Sequence, residues 1–297
     1  MRRLSDVEVG WAVQLACLYE VGVVKPGNVT PWHAFDDTCH EDFVASAAAI
    51  GPVFRRAGHL SVGEAILRAV TATSQSVTSN TNLGIVLLLA PLACAAARAS
   101  STQGGLRDAV ETVLAGLTVE DARAAYRAIR LASPAAIGVV ESCDVSDEEV
   151  DVTLREAMTA AAGRDSVASE YATGYGITFA VGLPALRAAL EGGAGFAEAV
   201  MTAFLRILAL VPDTLIARKR GRETARWASG RADDVLVAGG PSCPDGRREL
   251  ELFDRELRDG AHALNPGTTA DLVCASIFAM LVEDAVRVPC RTPAGAR

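Results

Sequence analysis

Leu83-Gly84-Ile85-Val86-Leu87-Leu88-Leu89-Ala90-Pro91-Leu92-Ala93-Cys94-Ala95-Ala96-Ala97 decides the fold. The run is apolar on every side, so it is either a membrane span or the central helix of a helical core. Its 15 residues fall short of the ~20 that a bilayer requires, and it contains a proline. We read it as a buried core helix over 83–99, opened by the capping residues Ser79-Asn80-Thr81-Asn82.

The composition outside this run agrees. Half of the 297 residues are apolar, alanine is abundant, and aromatics are only 5%. Alanine is the strongest helix former and lets helices pack closely. Long alternating runs of Val, Ile, Thr and aromatics are missing, so the fold class is all-α. No linker is both long and polar, so residues 1–297 read as one domain, with a frayed tail at 289–297.

Net charge is −8 and the pI about 5.1, which argues against a general nucleic-acid binder. A polyanionic ligand would need local features to hold it. The seven cysteines, Cys17, Cys39, Cys94, Cys143, Cys243, Cys274 and Cys290, form no CxxC pair. Free thiols in a reducing cytoplasm fit best, and a structural zinc site does not. The N-terminus is amphipathic and does not read as a signal peptide. A homodimer is compatible with alanine-rich helices, and no membrane role is expected.

Helical periodicity predicts helices over 6–22, 42–57, 62–77, 106–115, 118–131, 148–162, 165–183 and 196–210. Pro212-Asp213-Thr214 interrupts the pattern, which resumes to Gly221 and for a turn or two over 222–229. An irregular segment at 237–247 precedes helices over 248–259 and 269–286. The acidic loop 142–149 is an ordinary complement to a helix dipole.

Four segments share a chemistry. In Val24-Lys25-Pro26-Gly27-Asn28-Val29-Thr30-Pro31, Pro26 forces Lys25 into extended backbone and Gly27 permits close approach. Lys25 is one of two lysines in an arginine-rich chain, and an ammonium suits a phosphate oxygen. The other segments are Asn80-Thr81-Asn82-Leu83-Gly84, then Asp213 with Arg218, Lys219 and Arg220, and last Asn265-Pro266-Gly267-Thr268-Thr269-Ala270-Asp271. Helix starts present free N–H groups, and acids hold divalent cations. Each has a plainer reading: an inter-helix turn for Lys25, a helix cap for Asn80 or Thr268, a dipole partner for Asp271.

In this order the segments resemble the triphosphoribosyl-dephospho-CoA synthases, which help make the prosthetic group of citrate lyase and malonate decarboxylase. The Lys-Pro-Gly loop leads to an acidic turn, Phe35-Asp36-Asp37. The Asn-Thr-x-x-Gly, Asp-Thr and Pro-Gly-x-x-Ala-Asp-Leu segments follow. Asn82-Leu83 stand where family members typically carry His-Lys, Leu215 where an Asn is usual, and Thr268-Thr269 where Gly-Ser or Gly-Gly is common.

The resemblance implies an all-α pentosyltransferase. It would move the triphosphoribosyl group of ATP to the 2′-hydroxyl of 3′-dephospho-CoA and release adenine. Lys25, Gly27, Asn28, Asn80, Asn82, Gly84, Arg218, Lys219, Arg220, Asn265 and Gly267 would bind the nucleotide. Mg²⁺ would sit on Asp37, Asp213 or Asp271, and Asp37 or Asp271 would be the general base. The group that helps adenine leave is unassigned, with His33 as a candidate. The alternatives are ribosyl transfer to another acceptor, such as one in the tetrahydromethanopterin pathway, or non-catalytic nucleotide binding.

Overall fold

The structure is a computed structural model that describes residues 2–99, 104–132, 150–258, 262–284 and 286. Fourteen α-helices run in order among them. They are α1 (Asp6–Gly22), α2 (His40–Phe54), α3 (Val62–Ser74), α4 (Leu83–Arg98), α5 (Leu106–Ala115), α6 (Val119–Ala132) and α7 (Leu154–Ala161). Then come α8 (Ser166–Thr173), α9 (Leu183–Glu191), α10 (Phe196–Leu210), α11 (Thr214–Arg220), α12 (Arg222–Val237), α13 (Pro244–Leu257) and α14 (Gly267–Glu283). No β-strand occurs among the described residues; Thr30 and His33 make an isolated bridge.

Two helices are apolar all round, and both lie in the centre. From Ile85 to Ala97 every residue of α4 is buried, and α14 is buried from Thr268 to Val282 except at Asp271. They pack on each other, with α1, α8, α9, α10 and α11 around α14 and α3, α5 and α6 around α4. No single described helix is long and apolar enough to cross a membrane.

Pro91 does not break α4, and the reason is local. A proline at 91 has no N–H to give the carbonyl of Leu87, four residues back. The Tyr171 hydroxyl on α8 donates to that carbonyl at 2.6 Å, and the Tyr175 hydroxyl donates to Leu88 O at 2.6 Å. The same device recurs at Pro52 in α2, where Gln14 Nε2 donates to Ala48 O at 3.3 Å.

The structure departs from the periodicity in four places. The expected helix 148–162 begins only at Leu154, where the Thr153 side chain caps it and Glu156 closes the capping box. The expected helix 165–183 stops at Gly174, which takes the left-handed conformation, and resumes through a π-helical turn at Thr178–Gly182 into α9. Helix α12 runs to Val237 instead of ending near 229, because Ala228, Ala232 and Val235 continue a buried face. The irregular stretch after 237 is correspondingly short, since Pro244 opens α13 at the first helical position. The acidic loop 142–149 and the tail 289–297 lie outside the described residues, as do Cys143 and Cys290.

Tyr171→Phe should lower the stability by about 1–3 kcal/mol, because the Leu87 carbonyl then has no donor. Adding Pro91→Ala restores a helical N–H to that carbonyl and should recover much of the loss. Denaturant midpoints of the single and double variants measure this. Additive losses would count against the pairing.

Candidate active site

The start of α14 is the meeting point of the sequence segments. Asp213 caps α11 through the N–H groups of Leu215 and Ile216 at 2.9 and 3.0 Å. Its second oxygen accepts from the N–H and hydroxyl of Thr269, at 2.7 and 2.8 Å. Thr214 extends the seam: its hydroxyl lies 3.2 Å from that of Thr268 and accepts the Ser166 N–H at 3.3 Å. Asp165 caps α8 by accepting from Val167 N and Ala168 N. Three helix starts are thus stitched by short polar side chains.

Asp271 lies one turn into α14 against the start of α4. A Cβ built on Gly84 would stand 2.1 Å from Asp271 Oδ2, so only glycine leaves room for this carboxylate. Glu20, Asp213, Asp165 and Arg218 all act on it electrostatically. Burial first, then repulsion from Glu20, Asp213 and Asp165, holds its pKa well above the ordinary carboxylate range, with Arg218 opposing.

Each neighbouring acid has its charge met. Glu20 is buried and ion-paired with Lys25 at 2.9 Å. Asp213 has four donors, which oppose the upward push of burial on its pKa. Asp165 has two amides. Asp271 has no hydrogen-bond or ion-pair partner among the described residues. At the rim Arg218, Lys219 and Arg220 are exposed, and no ion pair involves them among the described residues. Burial and the adjacent Arg218 push the pKa of Lys219 down, while Asp37 and Asp213 pull it up.

Several expectations need correction. Lys25 is not a free ammonium on a loop corner. It is buried, and its three protons go to the Glu20 carboxylate and to the Glu20 and Val23 carbonyls, so none is left for a phosphate. Gly27 serves packing: at φ +71° its N–H donates to Asp254 Oδ1 at 2.8 Å, and a Cβ would stand 2.8 Å from Leu257 Cβ. Asn28 turns inward to the Pro26 carbonyl, and Asn82 to the Thr73 hydroxyl.

Asn80 is exposed and accepts the Leu83 N–H at 3.2 Å, as a cap would. Gly267 packs against Leu215, where a Cβ would stand 2.7 Å from Leu215 Cδ2. Asn265 keeps a buried Oδ1 without a partner. The expected magnesium set of Asp37, Asp213 and Asp271 does not form: no three His, Cys, Asp or Glu are arranged to hold a metal among the described residues. The oxygens of Asp213 are already taken by four donors, and Asp37 is exposed and acts electrostatically on Lys219.

Sequence reasoning missed Glu20 and Asp165. The signal for Glu20 was present, since helical spacing from Ala16 and Cys17 puts it on the buried face of α1. An acid on such a face needs a cation nearby, and Lys25 is the nearest in sequence.

An open carboxylate among helix starts, edged by cations without an ion pair among the described residues, suits a transferase acting on a phosphorylated substrate. The chain belongs to the CitG family, ATP:dephospho-CoA triphosphoribosyl transferase, whose model matches residues 7–289. A Pseudomonas aeruginosa protein named "Probable 2-(5''-triphosphoribosyl)-3'-dephosphocoenzyme-A synthase" is 40% identical over 99 residues, 33% of this chain and 32% of that one. An Azotobacter vinelandii protein of the same name is 36% identical over 110 residues, 36% of each chain. The chain thus aligns with about a third of the length of these curated relatives. A solved structure from Archaeoglobus fulgidus, described as a "putative triphosphoribosyl-dephospho-coA synthase", superposes with a TM-score of 0.61. It is 29% identical, and the match covers 81% of this chain and 98% of that one.

Two predictions follow from the charges. Lys25→Met leaves Glu20 buried and unpaired and should cost about 3–5 kcal/mol, much of it recovered in the double variant with Glu20→Gln. Unchanged melting of Lys25→Met would show that the pair is unimportant. Asp271→Asn should instead stabilise. The folded chain binds the Asp271 proton more tightly than the unfolded chain, so stability falls as pH rises above the ordinary carboxyl range. Removing the charge should add roughly 0.5–2 kcal/mol near neutral pH, a typical gain for relieving a strained site. The gain should fade below about pH 4, where an unfolded aspartate also takes up its proton. Thermal melts of both proteins from acid to neutral pH measure the difference.

Proposed function

We propose that the protein transfers the triphosphoribosyl group of ATP to the 2′-hydroxyl of 3′-dephospho-CoA and releases adenine. One observation carries the reading: among the described residues Asp271 is the acid of its cluster without a partner, and Arg218 of α11 acts on it electrostatically. The family match and the names of the relatives supply the substrates.

The triphosphate is assigned to Arg218, Lys219 and Arg220, and to the amides of Gly84 and Ile85 at the start of α4. Asn82 does not cap that start, and neither amide has an acceptor among the described residues. Placed there, the phosphates bring the ribose toward Asp271. Loss of adenine builds positive charge on the ring, which an adjacent carboxylate stabilises. The same carboxylate, made more basic by burial, is suited to take the proton of the attacking 2′-hydroxyl. Asp213 and the Lys25–Glu20 pair act at one remove, by fixing the helix start and the field in which Asp271 sits.

Magnesium is assigned to the triphosphate, whose charge it would partly neutralise, with Asp37 as the exposed carboxylate near the cations. We place the protein in the cytoplasm, in keeping with free thiols at Cys17, Cys39, Cys94, Cys243 and Cys274.

Purified protein with ATP, magnesium and dephospho-CoA should release free adenine and form a product heavier by one triphosphoribosyl unit. Asp271→Asn should lower kcat by roughly 10²–10⁴ while remaining folded. Formation of ADP or AMP in place of adenine would overturn the reading.

A further inference from the structure

We propose that the outer face of the α1–α2 pair is the contact surface of a two-fold dimer of this chain. The two helices pack closely and antiparallel. A Cβ built on Gly10 would stand 2.6 Å from Arg55 Cγ, and one built on Gly51 would run into Gln14. Gln14 Nε2 also donates to the Ala48 carbonyl at 3.3 Å. One turn from that tie in one direction stand Leu18 on α1 and Val44 on α2; in the other direction stand Trp11 and Pro52. All four are exposed, as is Ala48, so the two outer rows form one continuous face.

The fold does not use this face. Val9, Ala12, Val13, Ala16 and Glu20 turn inward from α1, and Ala47, Ile50 and Phe54 turn inward from α2. Helix α1 is thus apolar on its outer side as well as its inner one. No charged residue occurs from Val9 to Tyr19 or from Phe43 to Phe54, in a chain that is 22% charged. Exposed apolar residues scattered singly are ordinary, but a contiguous apolar face bare of charge marks an interaction surface.

The face also says what covers it. It offers no counter-charge to an acidic or a basic partner, so the partner must bring an equally neutral apolar face. A second copy brings one. Each copy carries a net charge of −8, and two copies approach at least cost through surface that holds none of it. A two-fold axis lying in the face, parallel to the helices, seats α1 of each copy on α2 of the other, in the manner of a four-helix bundle. At 1.5 Å per residue and about 10 Å per helix, the 17 and 15 residues of α1 and α2 present roughly 500 Å². Two copies together hide on the order of 1,000 Å², the size that a specific contact must reach.

Light scattering and sedimentation of the full chain at micromolar concentration should give twice the 30.9 kDa of one copy. The melting temperature should rise with protein concentration. Ala48→Arg places a strong helix former at an exposed position, and Trp11→Glu replaces the largest side chain of the face. Each would bury an uncompensated charge twice across the axis and should raise the dimer Kd at least about 100-fold, with helical circular dichroism unchanged. Val237→Glu, at a residue of α12 that is 82% exposed, should leave the dimer intact. A further measurement needs no added charge. With Trp32→Phe and Trp227→Phe, Trp11 is the lone indole, and dilution should shift its emission to the red and open it to iodide. A wild type that stays monomeric to its solubility limit overturns the proposal, whether the face then binds phosphatidylcholine vesicles or nothing. A dimer that survives in folded Ala48→Arg and Trp11→Glu, or a Trp11 emission that ignores dissociation, removes the contact from this face. So does a dimer that Val237→Glu disrupts as readily.

Discussion

The carboxylate of Asp213 holds two helix starts at once. One oxygen closes the first turn of α11 and the other closes the first turn of α14. An acid this deeply buried is tolerable only with its lone pairs met, and four donors meet them. Because α14 is the central helix and α11 carries the cations, this group sets where the positive rim stands relative to the inner acid. The threonines at 214 and 268 carry the tie to α8.

Around that tie the protein distributes negative charge unevenly. Glu20 has an ammonium, Asp213 has four donors, Asp165 has two amides, and Asp271 has none among the described residues. Three satisfied acids near an unsatisfied one raise the free energy of its ionised form. The folded chain therefore carries an unfavourable local field that no fold requirement explains. Strained charge of this kind is characteristic of functional sites.

The helical fold was legible because alanine content and 3.6-residue periodicity are averaged over many positions. Where the reading slipped, a single residue ruled: the left-handed Gly174 ended one helix, and Pro244 began another. The site was legible as a set of segments but not residue by residue. Lys25 looked like a phosphate ligand because its partner, Glu20, lies on the preceding helix, and only the helical phase of α1 turns that acid inward. Asp213 looked like a metal ligand because its donors at Thr269 are 56 residues away in the chain. Gly84 and Asp271 were both singled out, but their steric pairing needed coordinates.

Pro91 gives α4 a second role. By freeing the Leu87 carbonyl it creates a fixed mark partway along an otherwise featureless apolar rod, and two tyrosine hydroxyls lock onto that mark and its neighbour. A greasy helix would otherwise let its partner slide by a turn, about 5.4 Å, at little loss of contact. With the mark in place, such a slip would strand the Leu87 carbonyl and two hydroxyls away from water. The residue that reads as a helix breaker is thus the alignment pin that keeps the starts of α4 and α8, and the acids at them, in register.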